Sequence, residues 1–125
     1  MVRMMMKVLC FMIASIMASV LYTDADDKII SITCLQVTKL YIPCIKHFQE
    51  GGKSHAPPPP CCDGLRQLVD LTKKQIDRIY ACLCIGSFTK QQARNVTDDM
   101  VKGVDLTCRL NVPYLPPSTD CGKVQ

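Results

Sequence analysis

Tryptophan is absent from the 125 residues, and three Phe with four Tyr bring the aromatic share to only 6 %. Large flat rings are therefore poor candidates for the core. A strong charge of one sign is missing too. Fifteen basic and eleven acidic residues leave a net charge of +4. That is too mild for a dedicated nucleic-acid binder, although it tolerates anionic surfaces. No internal repeat and no nucleotide motif occurs, and no nucleophile, base and orienting group come together as an enzyme needs. Neither catalysis nor a cofactor is expected. The run without charge from Val8 to Tyr22 spans 15 residues, short of the about 20 that cross a bilayer as a helix. The segment Asp120-Cys121-Gly122-Lys123-Val124-Gln125 offers no apolar tail, which disfavours a glycolipid-anchored form.

What is present is cysteine and aliphatic carbon. Nine cysteines in 125 residues and a hydrophobic share of 48 % suit one small secreted domain and exclude a disordered chain. Arg3 and Lys7 precede the apolar run, and small residues follow it, as in a secretory signal. Cleavage is expected after Ala25, with Ala18 as the alternative site and an uncleaved signal anchor as the alternative reading. Residues 1–25 would then be the signal and 26–125 the mature domain. Losing Arg3, Lys7 and Asp24 lowers the net charge from +4 to +3, and losing Cys10 leaves eight cysteines. An even number in an oxidising compartment points to a complete set of bridges.

These are Cys34, Cys44, Cys61, Cys62, Cys82, Cys84, Cys108 and Cys121, with gaps of 9, 16, 0, 19, 1, 23 and 12 residues. Cys61 and Cys62 are adjacent, and the ring they would close is strained. On a helix their side chains diverge by about 100°, and those of Cys82 and Cys84 by about 200°. Each must reach a different partner. Structural zinc sites favour pairs two to four residues apart, often with His. These pairs are closer than that, and His47 and His55 lie in a hydrophilic stretch away from them, so no metal is expected.

Four helices follow from periodicity and punctuation. The first runs from about Thr33 to Phe48 on Val37, Leu40, Tyr41, Ile45 and Phe48, with Pro43 expected to bend or interrupt it. Gly51-Gly52 end it, and 54–60, closing on Pro57 to Pro60, reads as a stiff extended connector. The second, about Cys61 to Lys73, carries Leu65, Leu68, Val69 and Leu71. The third, about Lys74 to Phe88, carries Ile76, Ile79, Tyr80 and Leu83 on one stripe. The fourth, Thr89 to Thr107, points Met100, Val101, Val104 and Leu106 inward. Prolines at 113, 116 and 117 forbid a regular helix beyond Cys108, so 109–125 should be an ordered tail. Asn95-Val96-Thr97 is a glycosylation acceptor pattern at Asn95.

The pattern C…C…CC…CxC…C…C resembles the plant non-specific lipid-transfer proteins across residues 32–125. The gaps of 9 and 19 fit the first type of that family. So do the strings Ile32-Thr33-Cys34, Gln36-Val37-Thr38, Cys61-Cys62-Asp63-Gly64, Asp77-Arg78, Asn111-Val112-Pro113-Tyr114 and Ser118-Thr119-Asp120-Cys121. Four features depart from it. Leu83 stands between Cys82 and Cys84, where the first type usually has a polar residue. Lys74 occupies a small-hydroxyl position. The segment after Tyr114 is one residue short and lacks an isoleucine-serine pair, and the gap from Cys44 to Cys61 is extended with prolines.

The resemblance implies an all-α fold: a compact four-helix bundle stapled by disulfides, with an ordered C-terminal tail. It implies the pairing Cys34–Cys84, Cys44–Cys61, Cys62–Cys108 and Cys82–Cys121. The second type exchanges the partners of the two cysteines that flank Leu83. Periodicity alone favours a filled core, whereas the resemblance implies a hydrophobic tunnel lined by Val37, Leu40, Leu65, Leu68, Ile85, Leu110 and Val112. At its mouth Arg78 would meet a carboxylate or phosphate, Tyr114 would supply a hydroxyl, and Asp77 would orient Arg78 or nearby backbone. The bland readings are a solvated charge for Arg78 and tail packing for Tyr114. The expected function is a secreted, monomeric carrier of fatty acids, lysolipids and phospholipids, in the apoplast by resemblance, touching membranes transiently. A membrane-active defence protein is the alternative. A protease or amylase inhibitor fits less well.

Overall fold

A computed structural model describes residues 2–7, 29–52 and 56–125. The expected cleavage points at Ala18 and Ala25, with Cys10, Ser54 and His55, lie outside the described residues. Four helices carry the fold: α1 (Cys34–Gln49), α2 (Pro59–Leu71), α3 (Gln75–Gln92) and α4 (Asp98–Thr107), with a 3₁₀ turn at Cys121–Lys123 in the tail. No strand occurs among the described residues. α1 packs against both α2 and α3.

The helix starts follow from local chemistry. Thr33 caps α1 in a reciprocal box: its hydroxyl accepts from Gln36 N, and the Gln36 side chain accepts from Thr33 N. α1 continues through Pro43 without interruption and stops at Glu50, after which Gly51 and Gly52 take φ of 100° and 59°. α2 opens at Pro59, two residues before the expected start. Prolines lack only N–H groups that a first turn leaves unpaired, and their φ already suits a helix. The expected connector therefore ends at Pro58. The expected fourth helix, Thr89 to Thr107, is not one element. α3 runs on to Gln92, and α4 begins after Thr97, whose hydroxyl accepts from Met100 N ahead of Asp98 and Asp99 in the first turn.

Four bridges fix the packing. Cys34–Cys84 joins the start of α1 to α3, and Cys44–Cys61 joins α1 to the first turn of α2. Cys62–Cys108 joins α2 to the end of α4, and Cys82–Cys121 joins α3 to the tail. With both sulfurs committed, α3 turns Ala81, Cys82, Cys84 and Ile85 inward. Leu83 is therefore forced out, 57 % exposed, and Ile76, Ile79 and Tyr80 are only half-buried. The expected stripe on this helix is not its buried face. Leu106 is likewise outward at 76 % exposure, because α4 buries Val101 and Val104 and is pinned through Cys108. Val69 and Leu71 are exposed flanks of α2, whose inner face is Cys61, Gly64, Leu65 and Leu68. His47, expected in a hydrophilic stretch, is buried beside Phe48, their ring centroids 5.9 Å apart.

The tail from 109 to 125 is tied at several points besides Cys121. The Asp98 carboxylate accepts from Ser118 N and Oγ, which holds its carboxyl below the usual range. Asp105 Oδ2 accepts from Val112 N at 2.9 Å, and Gln75 Nε2 donates to Val124 O at 3.1 Å.

α1 and α2 cross at Gly64, where an added Cβ would sit 2.1 Å from the Leu40 carbonyl oxygen. Gly103, inside α4, has nothing within 4 Å of such a position. Gly64→Ala should therefore destabilise the oxidised protein by about 2 kcal/mol or more. Gly103→Ala should stabilise it by about 0.5–1 kcal/mol. Denaturant titration of both variants checks the pair of signs.

Candidate functional site

The short turn between α2 and α3 gathers the polar residues singled out in the sequence. Thr72, the C-cap of α2, is buried and donates its hydroxyl proton to Leu68 O at 2.8 Å. A hydroxyl has one proton, so the 2.7 Å contact between Thr72 Oγ1 and Tyr114 OH is donated by the tyrosine. Arg78 lies on the first turn of α3 and reaches back over the same turn. Its Nη1 donates to Thr72 O at 3.1 Å and to Lys73 O, and its Nε donates to Gln125 O at 2.7 Å. Among the described residues Nη2 has no acceptor. Arg78 and Tyr114 thus meet through Thr72. Sequence reasoning missed Thr72, because a lone threonine before two lysines carries no distinctive pattern.

Tyr114 is 3 % exposed. Burial pushes its phenol pKa up, while the Thr72 hydrogen bond and the Arg78 charge pull the other way. Asp77, 1 % exposed, does not pair with Arg78. Its carboxylate accepts from Ser31 N at 2.8 Å and from Ser31 Oγ. Its orienting role is exercised on the segment before α1, and the guanidinium is left without a competing carboxylate from its neighbour. Ser31 is the second residue that sequence reasoning missed.

The aliphatic candidates gather inside the bundle. Val37 (α1), Leu65 and Leu68 (α2), Ile85 (α3) and Val112 (tail) are each no more than 3 % exposed and belong to one apolar cluster. Leu40 and Leu110 are half-buried and pack against it. Two open clefts lie elsewhere. One of about 390 Å³ opens over Thr89 between α3, Ala93 and Pro117, and another of about 420 Å³ lies between Phe48, Ala93 and Met100. Asn95 is exposed at the rim of the second.

Deep in the interior the Tyr41 and Thr89 hydroxyls are buried without a hydrogen-bonded partner among the described residues. Burial drives the Tyr41 phenol far up, and the nearby Thr89 hydroxyl opposes that only slightly.

The protease inhibitor/seed storage/LTP family model matches residues 34–121. Over its whole length the chain is 35 % identical to all of non-specific lipid-transfer protein Lac s 1 of Lactuca sativa. It is 34 % identical to non-specific lipid-transfer protein 2 of Solanum chilense, covering 98 % of this chain and 99 % of that one. Among solved structures, 74 % of the chain superposes on 100 % of a wheat non-specific transfer protein complexed with two phospholipid molecules. The TM-score is 0.63 and the identity 29 %.

Both buried phenols have pKa values raised above the ordinary value of about 10. The unfolded chain loses those protons first as pH climbs. Their contribution to stability is therefore intact below pH about 10 and is lost above it. Tyr41→Phe should flatten the fall in denaturation midpoint as pH rises above about 10. At pH 7 it should be neutral or stabilising by up to about 1 kcal/mol, since it removes a buried hydroxyl without a partner.

Proposed function

The chain belongs to the plant non-specific lipid-transfer proteins of the protease inhibitor/seed storage/LTP family, and from that premise we propose that it carries fatty acids, lysolipids and phospholipids between membranes. The observation that carries this reading is the meeting of Arg78 and Tyr114, through Thr72, in a bundle whose interior is a continuous apolar cluster. A lipid needs those two environments, apolar for its chain and donor-rich for its head.

The acyl chain lies against Val37, Leu40, Leu65, Leu68, Ile85, Leu110 and Val112. The head sits at Arg78, whose free Nη2 meets a carboxylate or phosphate oxygen by a charge-assisted hydrogen bond. Tyr114 releases Thr72 and donates its hydroxyl proton to an oxygen of the head, and Asp77 acts indirectly by holding Ser31. No bond is made or broken in the cycle. Residues 1–25 serve as the secretory signal, and 26–125 form the carrier released to the apoplast. Asn95, on an exposed turn, leaves room for a glycan.

Displacement of a fluorescent fatty acid from the oxidised protein tests the reading, and failure of unlabelled fatty acids to displace it would refute it. Arg78→Gln should weaken fatty-acid binding about tenfold or more, as expected for a lost charge-assisted bond. It should leave the methyl ester of the same acid nearly unaffected. Arg78 also holds Gln125 and the α2–α3 turn, so stability is measured in parallel. Equal losses for acid and ester would remove Arg78 from the head-binding role.

A further inference from the structure

The outer face shared by α1 and α3 combines three features. The first is exposed aliphatic surface: Leu35 is 67 % exposed and Leu83 57 %. Leu83 with half-buried Tyr80 and Phe88 borders a shallow groove of about 280 Å³, whose α1 wall is Cys34 and Thr38. The second is placement. Leu35, Lys39, Ile42 and Lys46 are exposed at steps of four, three and four, so they form one stripe of α1 beside the groove, and Leu83, Ser87 and Lys90 do the same on α3. The third is the scarcity of opposing charge, with exposed Glu50, the C-cap of α1, the one carboxylate at the end of this stripe. α1 contains no acidic residue, and the one carboxylate of α3, Asp77, is buried against Ser31.

Leu83 is also held in place. The residues on either side of it are bonded to Cys34 and Cys121, so α3 cannot rotate to hide it. Exposed leucines standing singly need no explanation. Two of them on helix stripes that also carry exposed lysines, one of them lining a groove and fixed between two bridges, do.

We propose that this face docks the protein on anionic lipid membranes. Leu83 and Leu35 enter the headgroup layer, and Lys39, Lys46 and Lys90 pair with lipid phosphates. The proposal rests on the carrier reading and names the surface through which the carrier meets its donor and acceptor. A bilayer suits the shape better than a folded partner does. Two projecting leucines beside a shallow groove sink into a soft interface, and flexible lysine stems reach phosphates at varied depth. Each lysine near an anionic surface strengthens attachment about fivefold, which gives a transient and salt-sensitive contact.

The test is co-sedimentation of the oxidised protein with vesicles of phosphatidylcholine, with and without phosphatidylglycerol, beside fatty-acid displacement in solution. Leu83→Ser should lower association with anionic vesicles about tenfold, the cost of losing part of a buried leucine surface. Lys39→Glu with Lys46→Glu should lower it at least as much, and leave association with neutral vesicles unchanged. Both variants should keep the parent's fatty-acid displacement, since none of these residues belongs to the lipid site. A parent that does not sediment with anionic vesicles, or variants that sediment like the parent, would overturn the docking face. Parent protein that sediments but displaces no fatty acid would instead refute the carrier reading.

Discussion

Sulfur sets the rotation of the helices about their own axes. Cys82 and Cys84 leave α3 about 200° apart, and one is bonded to the tail while the other is bonded to α1. Only one azimuth of α3 satisfies both, and it puts Ala81 and Ile85 inside and Leu83 outside. Cys61 and Cys62 do the same for α2, one facing α1 and the other α4. A bridge typically contributes about 2–4 kcal/mol, largely through the unfolded state. A domain this small buries too little surface to be very stable by packing alone. Its interior is thereby relieved of the need to pack as tightly as an unbridged core, and it tolerates buried hydroxyls such as Tyr41 and Thr89.

On the proposed carrier reading, the polar cluster at the α2–α3 turn would serve two tasks with one set of atoms. Arg78 closes the end of α2, whose last carbonyls lack helical partners, and also fastens the tail through Gln125. Tyr114 fastens the tail to Thr72. The same donors are the ones a lipid head requires. Because Ser31 occupies Asp77, the arginine keeps its charge uncompensated by the residue beside it. On that reading, head recognition and closure of the bundle share one guanidinium. A bound carboxylate would take Nη2, while Nη1 stays on Thr72 O and Lys73 O and Nε on Gln125 O.

The parts legible in the sequence were those governed by short-range rules. The apolar period from Thr33 marked the start of α1, Gly51-Gly52 marked its end, and Val37, Tyr41, Ile45 and Phe48 marked its inner face, whereas the capping box of Thr33 with Gln36 showed only in the structure. The pairing of the cysteines followed from resemblance, and the structure has the same four bridges. Reading went wrong where tertiary constraint overrides periodicity. Leu83 and Leu106 look like core by spacing, yet sulfur elsewhere on the helix decides which side faces in. The break between Gln92 and Asp98 was missed, although Thr97-Asp98-Asp99 is a helix start. Thr72 and Ser31 were invisible because their roles depend on partners 42 and 46 residues away.

Transfer requires that the protein bind a lipid without keeping it. A methylene gains about 0.8 kcal/mol on leaving water, but almost nothing on moving from a bilayer to an equally apolar interior. The chain portion of the lipid is therefore nearly indifferent between the two, and chain length or unsaturation should be weakly discriminated. What remains to set direction is the head, which on the proposed reading would meet Arg78 in the carrier and meets its hydration and neighbours in the membrane. One guanidinium nitrogen free of acceptors among the described residues would offer a single charge-assisted contact, not an enclosed cage. That would be enough to favour anionic heads and too little to trap them. The covalent frame keeps the apolar interior assembled through each exchange, so the protein need not refold between one lipid and the next.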